Sequence, residues 1–243
     1  MTTQHIEICS ALDALLEAKH DALGQGFNKV RFIENCKSYL PEVKNIERHS
    51  SDLIAATLFK GAVLGLDFLG RECHVIADGK GVQFQTDYKG EKKLAKKYSV
   101  RPVLDIYAKN VREGDDFREE IMEGKPSVYF QPLAFNNSPI KGTFAVALFS
   151  DGGMVYEALT AEEIELIRKN YGKNIDTWEK SQGEMYKRTA LRRLCKSIEL
   201  DFDTDQSLAF EAGSAVDFSQ SPRPVQHSPL NPPESKEEQH EAE

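Results

Sequence analysis

Six basic side chains fall within thirteen residues near the middle of the chain, where their charge and spacing suit contact with a polyanion. They are Lys89, Lys92, Lys93, Lys96, Lys97 and Arg101, and the only acidic residue among them is Glu91. In a helix over 89–98, at about 100° per residue, the five lysines fall within roughly 140° of arc, opposite Leu94 and Tyr98. Lysines this close repel one another unless phosphates or counterions neutralise them. The pattern predicts a cationic strip on a docked helix, and an ordinary solvated helix face is the alternative.

The strand predicted just before this helix offers polar groups beside the cationic strip. Val82 and Phe84 alternate with Gln83 and Gln85, and alternate residues of a strand point to opposite faces. One face can join a core while the amides of the other face a ligand. Tyr88 adds a ring that can stack on a base. Lysines, amides and an aromatic ring together favour single-stranded nucleic acid as the ligand.

A second basic stretch lies in the last predicted helix, 183–198. Its apolar stripe consists of Leu191, Leu194, Cys195 and Ile198. Its basic residues are Lys187, Arg188, Arg192, Arg193 and Lys196. No acidic residue lies between Glu184 and Glu199. Two basic helices that flank a sheet can frame a groove that follows a phosphate backbone. Taken alone, this second helix suits a partner-binding face or an ordinary solvated face equally well.

The aromatic residues near this helix leave two interpretations open. Trp178 is the only tryptophan of the chain, and Tyr171 and Tyr186 lie near it in the sequence. These rings can stack on bases, but a lone tryptophan is more often an anchor of the core.

The sequence gives little support to an enzyme. Glu91-Lys92-Lys93 follows Asp78 and Asp87, a spacing that resembles metal-dependent nucleases, but such a triplet recurs by chance in a chain rich in Lys and Glu. The phosphate-binding pattern G-x-x-x-x-G-K-[ST] does not occur in the sequence, so ATP is not expected to be required. No nucleophile and base pair and no metal-ligand spacing stand out. We therefore predict no catalytic residues, no metal ligands and no required cofactor.

Charge is divided unevenly along the chain. The net charge is −8, yet residues 201–243 hold ten acidic and two basic residues, which leaves 29 of each sign in positions 1–200. The acidity therefore belongs to the C-terminal end and does not oppose the cationic strip. From Asp217 onward the chain is rich in Ser, Pro, Gln and Glu, which is typical of disorder. We predict an acidic, Pro/Ser-rich disordered tail over 203–243.

The order of predicted elements indicates an α+β fold, with an antiparallel sheet flanked by helices. Helices are predicted over 27–40, 51–66, 160–171 and 183–198, the third with a capping box formed by Thr160 and Glu163. Strands are predicted over 73–77, 82–87, 103–111, 128–131, 143–149 and 154–159, and a Gly-rich turn joins the first two as a hairpin. No apolar run is long enough to span a membrane. The four cysteines are scattered, so reduced thiols and a cytoplasmic location are expected.

Two separated blocks, 62–117 and 178–201, closely resemble the signature of the RecT family of phage and prophage recombination proteins. The first contains FQTDYKG, in which Phe84, Gln85, Tyr88, Lys89 and Gly90 match the family's Phe-Gln-x-Gly-Tyr-Lys-Gly pattern. In the second, the residues that match are Met185, Arg188, Thr189, Arg192 and Lys196. Two positions add acid beside the predicted surface: Asp87 stands where the family commonly has Gly, and Ala77-Asp78 where it commonly has Pro-Tyr. Arg188 replaces the usual Lys.

The resemblance implies a protein that anneals single strands of DNA in recombination without ATP and without acting as an enzyme. It implies a homo-oligomer in the form of a ring or helical filament, bound to single-stranded DNA and to the annealed duplex. A phage 5′ to 3′ exonuclease and the host single-strand binding protein are the partners it implies, in a bacterial cytoplasm. Residues 51–202 would form the annealing core and 1–50 a helical region for subunit contacts.

The candidate DNA-binding residues are Gln83, Phe84, Gln85, Tyr88, Lys89, Lys92, Lys93, Lys96, Lys97, Arg101, Lys187, Arg188, Arg192, Arg193 and Lys196. The main rival interpretation is a non-enzymatic adaptor that binds partner proteins through its basic helix faces, and the nuclease is a weaker third.

Overall fold

The computed structural model describes residues 2–79, 81–171 and 175–214, and within them the chain combines small antiparallel sheets with helices. This confirms the α+β prediction. The helices are α1 (Thr3–Ala18), α2 (Lys29–Tyr39), α3 (Ser51–Leu64), α4 (Tyr88–Tyr98), α5 (Ala161–Tyr171), α6 (Ile175–Lys180), α7 (Gln182–Ser197) and α8 (Thr204–Ser214). The strands are β1 (Cys73–Asp78), β2 (Gly81–Thr86), β3 (Val103–Arg112), β4 (Asp116–Met122), β5 (Lys125–Gln131), β6 (Ile140–Phe149) and β7 (Met154–Thr160). None of the helices in these ranges is both long and apolar enough to cross a membrane.

The first hydrophobic cluster joins α1, α2 and α3 to the β1–β2 hairpin and α8. Ile8, Leu12 and Leu16 recur every four residues in α1 and are almost completely buried, so one face of this helix packs on the cluster. The hydroxyl of Tyr39 at the end of α2 accepts a hydrogen bond from the backbone N–H of Val75 at 2.9 Å. The N-terminal helices therefore support the hairpin directly instead of forming a separate body.

The predicted β1–β2 hairpin is confirmed. Asp78 pairs with Gly81 at the turn and Cys73 with Thr86 at the open end. The chain then enters α4, whose first turn lies against the segment before β1: a Cβ added to Gly90 would lie 2.2 Å from the carbonyl oxygen of Glu72. Only glycine lets the backbone approach this closely, and this contact fixes where the lysine-rich helix sits on the hairpin.

The second hydrophobic cluster lies between a three-stranded sheet and α7. The strand order is β3-β6-β7, and every pair is antiparallel. Ala145, Ala147 and Phe149 face this cluster from β6, while Leu191 and Leu194 face it from α7. The predicted strands and last helix are confirmed to within a few residues, as is the capping box, in which Thr160 and Glu163 exchange hydrogen bonds of 2.8 and 3.2 Å.

The β4–β5 hairpin packs over the opposite face of this sheet. The rings of Phe117 and Phe130 each lie 5.1 Å, centroid to centroid, from the ring of Phe144 in β6. The sequence did not predict β4, because four of its seven residues are charged and no clean apolar alternation marks it. Pairing with β5 and the contact of Phe117 decide its conformation.

The prediction that a disordered tail begins at residue 203 is wrong. Residues 204–214 form α8, in which Gln206 and Ala209 are buried and Phe210 packs against Phe202. The side chain of Asp203 accepts a hydrogen bond from the N–H of Gln206 and so caps the helix. The acidic composition of this end concealed a helix that packs against the hairpin and α3, and its apolar residues are too weakly segregated to predict it. The rest of the predicted tail, 215–243, lies outside the described residues.

Candidate nucleic-acid interface

Helix α4 presents the lysine strip that its spacing predicts. It begins after Asp87, whose side chain accepts a hydrogen bond from the N–H of Lys89 at 3.4 Å, and it ends before Ser99. The side that docks on the protein consists of Gly90, Glu91, Leu94 and Ala95, all buried. Lys89, Lys93, Lys96 and Lys97 are exposed, and Lys92 is half-buried. The helix therefore separates a buried inward side from a cationic outward side.

The five lysines differ in how far the protein itself neutralises them. Lys93 lies 2.7 Å from a carboxylate oxygen of Glu72, and Lys96 lies 3.3 Å from one of Asp105. Among the residues that the structure describes, no carboxylate oxygen lies within 4.0 Å of the Nζ atoms of Lys89, Lys92 and Lys97. These three ammonium groups are the members of the strip best able to meet an added phosphate, and Lys89 and Lys92 lie nearest the start of the helix.

Lys97 and Arg101 lie at the far end of the strip and contact aromatic rings. The Nζ of Lys97 lies 4.7 Å from the centroid of Tyr98. The guanidinium of Arg101 lies 4.0 Å from the centroid of Phe149 and pairs with Asp151 at 2.8 Å. Both side chains are exposed, but the charge of Arg101 is already shared with an acid.

Helix α7 lies beside α4, and a buried ion pair joins them. A carboxylate oxygen of Glu91 lies 3.3 Å from Arg192 and accepts a hydrogen bond from the hydroxyl of Thr86 at 2.8 Å. Burial raises the pKa of Glu91, and the positive charge of Arg192 opposes that effect. Arg192 was predicted to contact DNA, but its side chain is only 12% exposed. Its first role is therefore to hold α7 against α4.

The other basic residues of α7 are also engaged with the protein. Arg193 lies 3.4 Å from Glu157 in β7, and Lys187 lies 2.5 Å from Glu184. Lys196 is half-buried, and its charge acts to lower the pKa of Glu91. Helix α7 packs on α4, but its basic residues carry much less unneutralised charge than their number in the sequence indicates.

Arg188 is the α7 residue that comes closest to the start of α4. Its guanidinium pairs with the carboxylate of Asp87 and lies 5.3 Å from the centroid of Tyr88. Asp87 also lies 3.6 Å from Nε2 of His74. The two motif positions noted above, Asp87 and Arg188, are thus in direct contact. From the sequence, Asp87 was recognised only as an additional acidic residue. Its partner Arg188 could not be predicted, because the two lie 101 residues apart in the chain.

Phe84 requires a correction. Its side chain is 1% exposed and packs edge-on against Phe68 in the first hydrophobic cluster, so it supports the hairpin and is not available to DNA. Gln83 and Gln85 are partly exposed on the same strand, as its alternation predicts. The matched phenylalanine of the motif is therefore a packing residue.

The aromatic residues near α7 are anchors of the core. Trp178 and Tyr186 are buried with ring centroids 6.5 Å apart, and the hydroxyl of Tyr186 donates a hydrogen bond to Glu165 at 2.9 Å. Burial and this carboxylate raise the pKa of Tyr186 to about 12. The side chain of Tyr171 lies outside the described residues. Tyr88 and Tyr98, at the two ends of α4, are rings that border the lysine strip.

Comparison with known proteins gives two related matches. A sequence model of the RecT family matches residues 30–223. The chain is also 31% identical to "Protein RecT" of Escherichia coli strain K12 over 137 residues, which cover 54% of this chain and 48% of that protein. The alignment thus spans about half the length of the curated relative. Both α4 and α7 lie inside the region matched by the family.

Proposed function

Because this chain belongs to the RecT family, we propose that it binds single-stranded DNA and anneals complementary strands in homologous recombination without ATP. The observation that carries the proposal is the exposed lysine strip of α4, inside the matched region. Lysines that neutralise phosphates release counterions, and this release supplies most of a sequence-independent affinity for DNA. Pairing of bases makes and breaks no covalent bond, so the proposed activity needs no catalytic residue, nucleotide or metal.

The mechanism we propose depends on charge and on local concentration. Lys89 and Lys92 hold phosphates of one strand, and repulsion from an incoming complementary strand falls as that charge is neutralised. A multimer, in the form of a ring or helical filament, holds many bases at once, so that each partial match is intramolecular and raises the effective concentration of the next. The annealed duplex stays on the same surface until the multimer releases it.

The partners in this proposal follow from the family. A phage 5′ to 3′ exonuclease would supply the single strands, and the host single-strand binding protein would cover them before annealing. The helices of residues 1–50 would provide subunit contacts. The protein would act in the cytoplasm of a bacterial cell, encoded by a phage or prophage.

One assay tests the proposed activity against its rivals. Complementary labelled oligonucleotides are mixed with the protein in EDTA and without ATP, and the rate of duplex formation is followed by fluorescence. We expect pairing well above the protein-free rate. No acceleration would contradict the proposal and favour an adaptor, and strand cleavage that needs Mg²⁺ would favour a nuclease. The buried, paired carboxylate of Glu91 already makes it a poor metal ligand.

The lysine strip itself is tested by charge reversal. Lys89→Glu with Lys92→Glu is expected to weaken binding to single-stranded DNA at least about tenfold at about 0.1 M salt, because two phosphate contacts become repulsive. The matched control is Lys44→Glu with Lys125→Glu, which changes the net charge equally at two exposed lysines outside the strip. Fluorescence anisotropy measures both affinities, and equal losses in the two variants would show a general charge effect instead of a binding surface.

A further inference from the structure

A layered cluster stands beside the lysine strip, at the point where α4 begins. Tyr88 is half-buried at the edge of the second hydrophobic cluster, and the guanidinium of Arg188 lies over its ring at 5.3 Å. Nη1 of Arg188 lies 3.8 Å from the sulfur of Met185, and Nη2 is bound to the carboxylate of Asp87. The side chain of Arg188 is nonetheless 37% exposed. The planar guanidinium of Arg188 thus contacts three neighbouring side chains and remains partly exposed to solvent.

Asp87 makes this cluster a poor phosphate site. Its carboxylate offsets the charge of Arg188 and also caps α4, so the partial positive charge of the helix N-terminus is already satisfied. Although burial acts to raise the pKa of Asp87, the neighbouring imidazole of His74 and the charge of Arg188 bring it below its ordinary value. The carboxylate is therefore charged at neutral pH and would repel a phosphate placed beside Arg188.

The same cluster suits an uncharged, flat ligand. Guanidinium planes and aromatic rings stack on nucleobases with little sequence preference, because every base has a π-face. Tyr88 and Lys92 are four residues apart on α4, so they are neighbours on one side of the helix. Lys89 follows Tyr88 directly. The ammonium groups of Lys89 and Lys92, which can bind phosphates, therefore lie near the guanidinium of Arg188, on which a base can stack.

We propose that Arg188, layered on Tyr88, is a base-stacking subsite for single-stranded DNA, and that Asp87 is the positioning residue that holds it there. Lys89 and Lys92 bind the phosphates on either side. This inference rests on the proposed function and deepens it, because it separates base contacts from phosphate contacts. The subsite keeps a base in place through its face and leaves its pairing edge to a complementary strand.

The first test compares two ligands of about 30 nucleotides, an oligothymidine and an abasic chain of the same length. By fluorescence anisotropy, the wild-type protein is expected to bind oligothymidine at least about fivefold more tightly, since only the bases differ. Equal affinities for the two ligands would overturn the inference and leave the proposed function intact. Failure to bind either ligand would instead overturn the proposed function.

Arg188→Lys is the matched variant, because it keeps the charge and removes the planar group. We expect its affinity for oligothymidine to fall about fivefold, while its affinity for the abasic chain stays within about twofold of wild type. A variant that retains the full preference for oligothymidine would contradict a stacking role for Arg188.

Asp87→Asn tests positioning, because the proposal predicts a lost preference between the two ligands, whereas removal of a charge alone leaves that preference unchanged. Removing a negative charge should by itself tighten binding to both ligands. If Asp87 positions Arg188, the variant loses its preference for oligothymidine over the abasic chain, and Asp87→Glu restores part of it. Asparagine still caps a helix, and a circular dichroism spectrum like that of wild type shows that α4 is kept. Tighter binding to both ligands with the preference unchanged would refute the positioning role.

Discussion

At the scale of single residues, carboxylates decide which cations of the interface remain free. Glu91 pairs with Arg192 between α4 and α7, and Asp87 pairs with Arg188 beside Tyr88. Breaking a buried pair by removing one partner costs about 3–5 kcal/mol, whereas exposed pairs contribute less than about 1 kcal/mol. The Glu91–Arg192 pair therefore holds the two helices together, while the partly exposed Asp87–Arg188 pair mainly sets the position of a side chain.

The stability contributed by Asp87 should depend on pH. Its pKa in the folded protein lies below its ordinary value of 3.8, so its stabilising effect is present above that value and is lost as the pH falls through the folded pKa. Solvent screens the partly exposed Arg188, so we expect Asp87→Asn to lower the free energy of unfolding by about 1 kcal/mol at pH 7. Urea denaturation at a series of pH values measures the difference from wild type. A difference that stays constant down to about pH 2 would contradict this assignment.

At the scale of elements, close backbone contact fixes α4 on the hairpin. The lysine strip faces outward only because Gly90 lets the first turn of α4 lie against the carbonyl of Glu72. The backbone N–H of Asp87 donates to the same carbonyl at 2.9 Å. The helix periodicity explains which residues share a face, and this contact explains the direction in which that face points.

Gly90→Ala should therefore destabilise the protein, although alanine is the better helix former by about 1 kcal/mol. The added Cβ would meet a backbone atom that cannot move aside, so we expect a loss of about 2–3 kcal/mol in the free energy of unfolding. Thermal and urea denaturation measure it. Gly79→Ala is the control, because nothing lies within 4 Å of its added Cβ, and its effect should be much smaller.

Helix α8 should be part of the stable fold. A Cβ on Gly213 would lie 2.8 Å from the ring of Phe84, so α8 closes directly over the hairpin. A chain that ends at Ser214 is expected to unfold at the same urea concentration as the full chain. A chain that ends at Phe202 should lose at least about 2 kcal/mol, because removal of α8 exposes buried apolar surface. Equal stability of the two shortened chains would show that α8 contributes nothing.

At the scale of the whole molecule, a chain of net charge −8 carries a local cationic surface on α4. Residues 215–243 contain six acidic and two basic residues, so their removal changes the net charge from −8 to −4. Screening limits the reach of such charge to about 10 Å at 0.1 M salt. The effect of this segment on DNA binding should therefore depend strongly on ionic strength.

We expect the chain that ends at Ser214 to bind single-stranded DNA a few-fold more tightly than the full chain at about 0.03 M salt, because an acidic segment competes for the lysine strip. The difference should vanish at about 0.3 M salt. Anisotropy titrations of both chains measure it. Equal affinities at low salt would indicate a segment that only aids solubility.

Local patterns in the sequence determined much of the molecule. The β1–β2 hairpin, the capping box at Thr160 and the amphipathic lysine helix all follow from spacing within a few residues. These features depend on the periodicity of helices and strands, which is visible within a single contiguous segment of the sequence. The resemblance of two separated blocks to the RecT family then indicated single-stranded DNA as the expected ligand.

Only the tertiary structure decided which residues of the candidate site are exposed and which are buried or paired. Phe84 is buried under α8, Arg192 is turned onto Glu91, and Lys93 is paired with Glu72. Each partner is at least 21 residues distant in the sequence, and no periodic pattern specifies such a contact. Charge counted along the chain thus indicated the candidate interface, while pairing and burial in three dimensions selected which of its cations remain exposed.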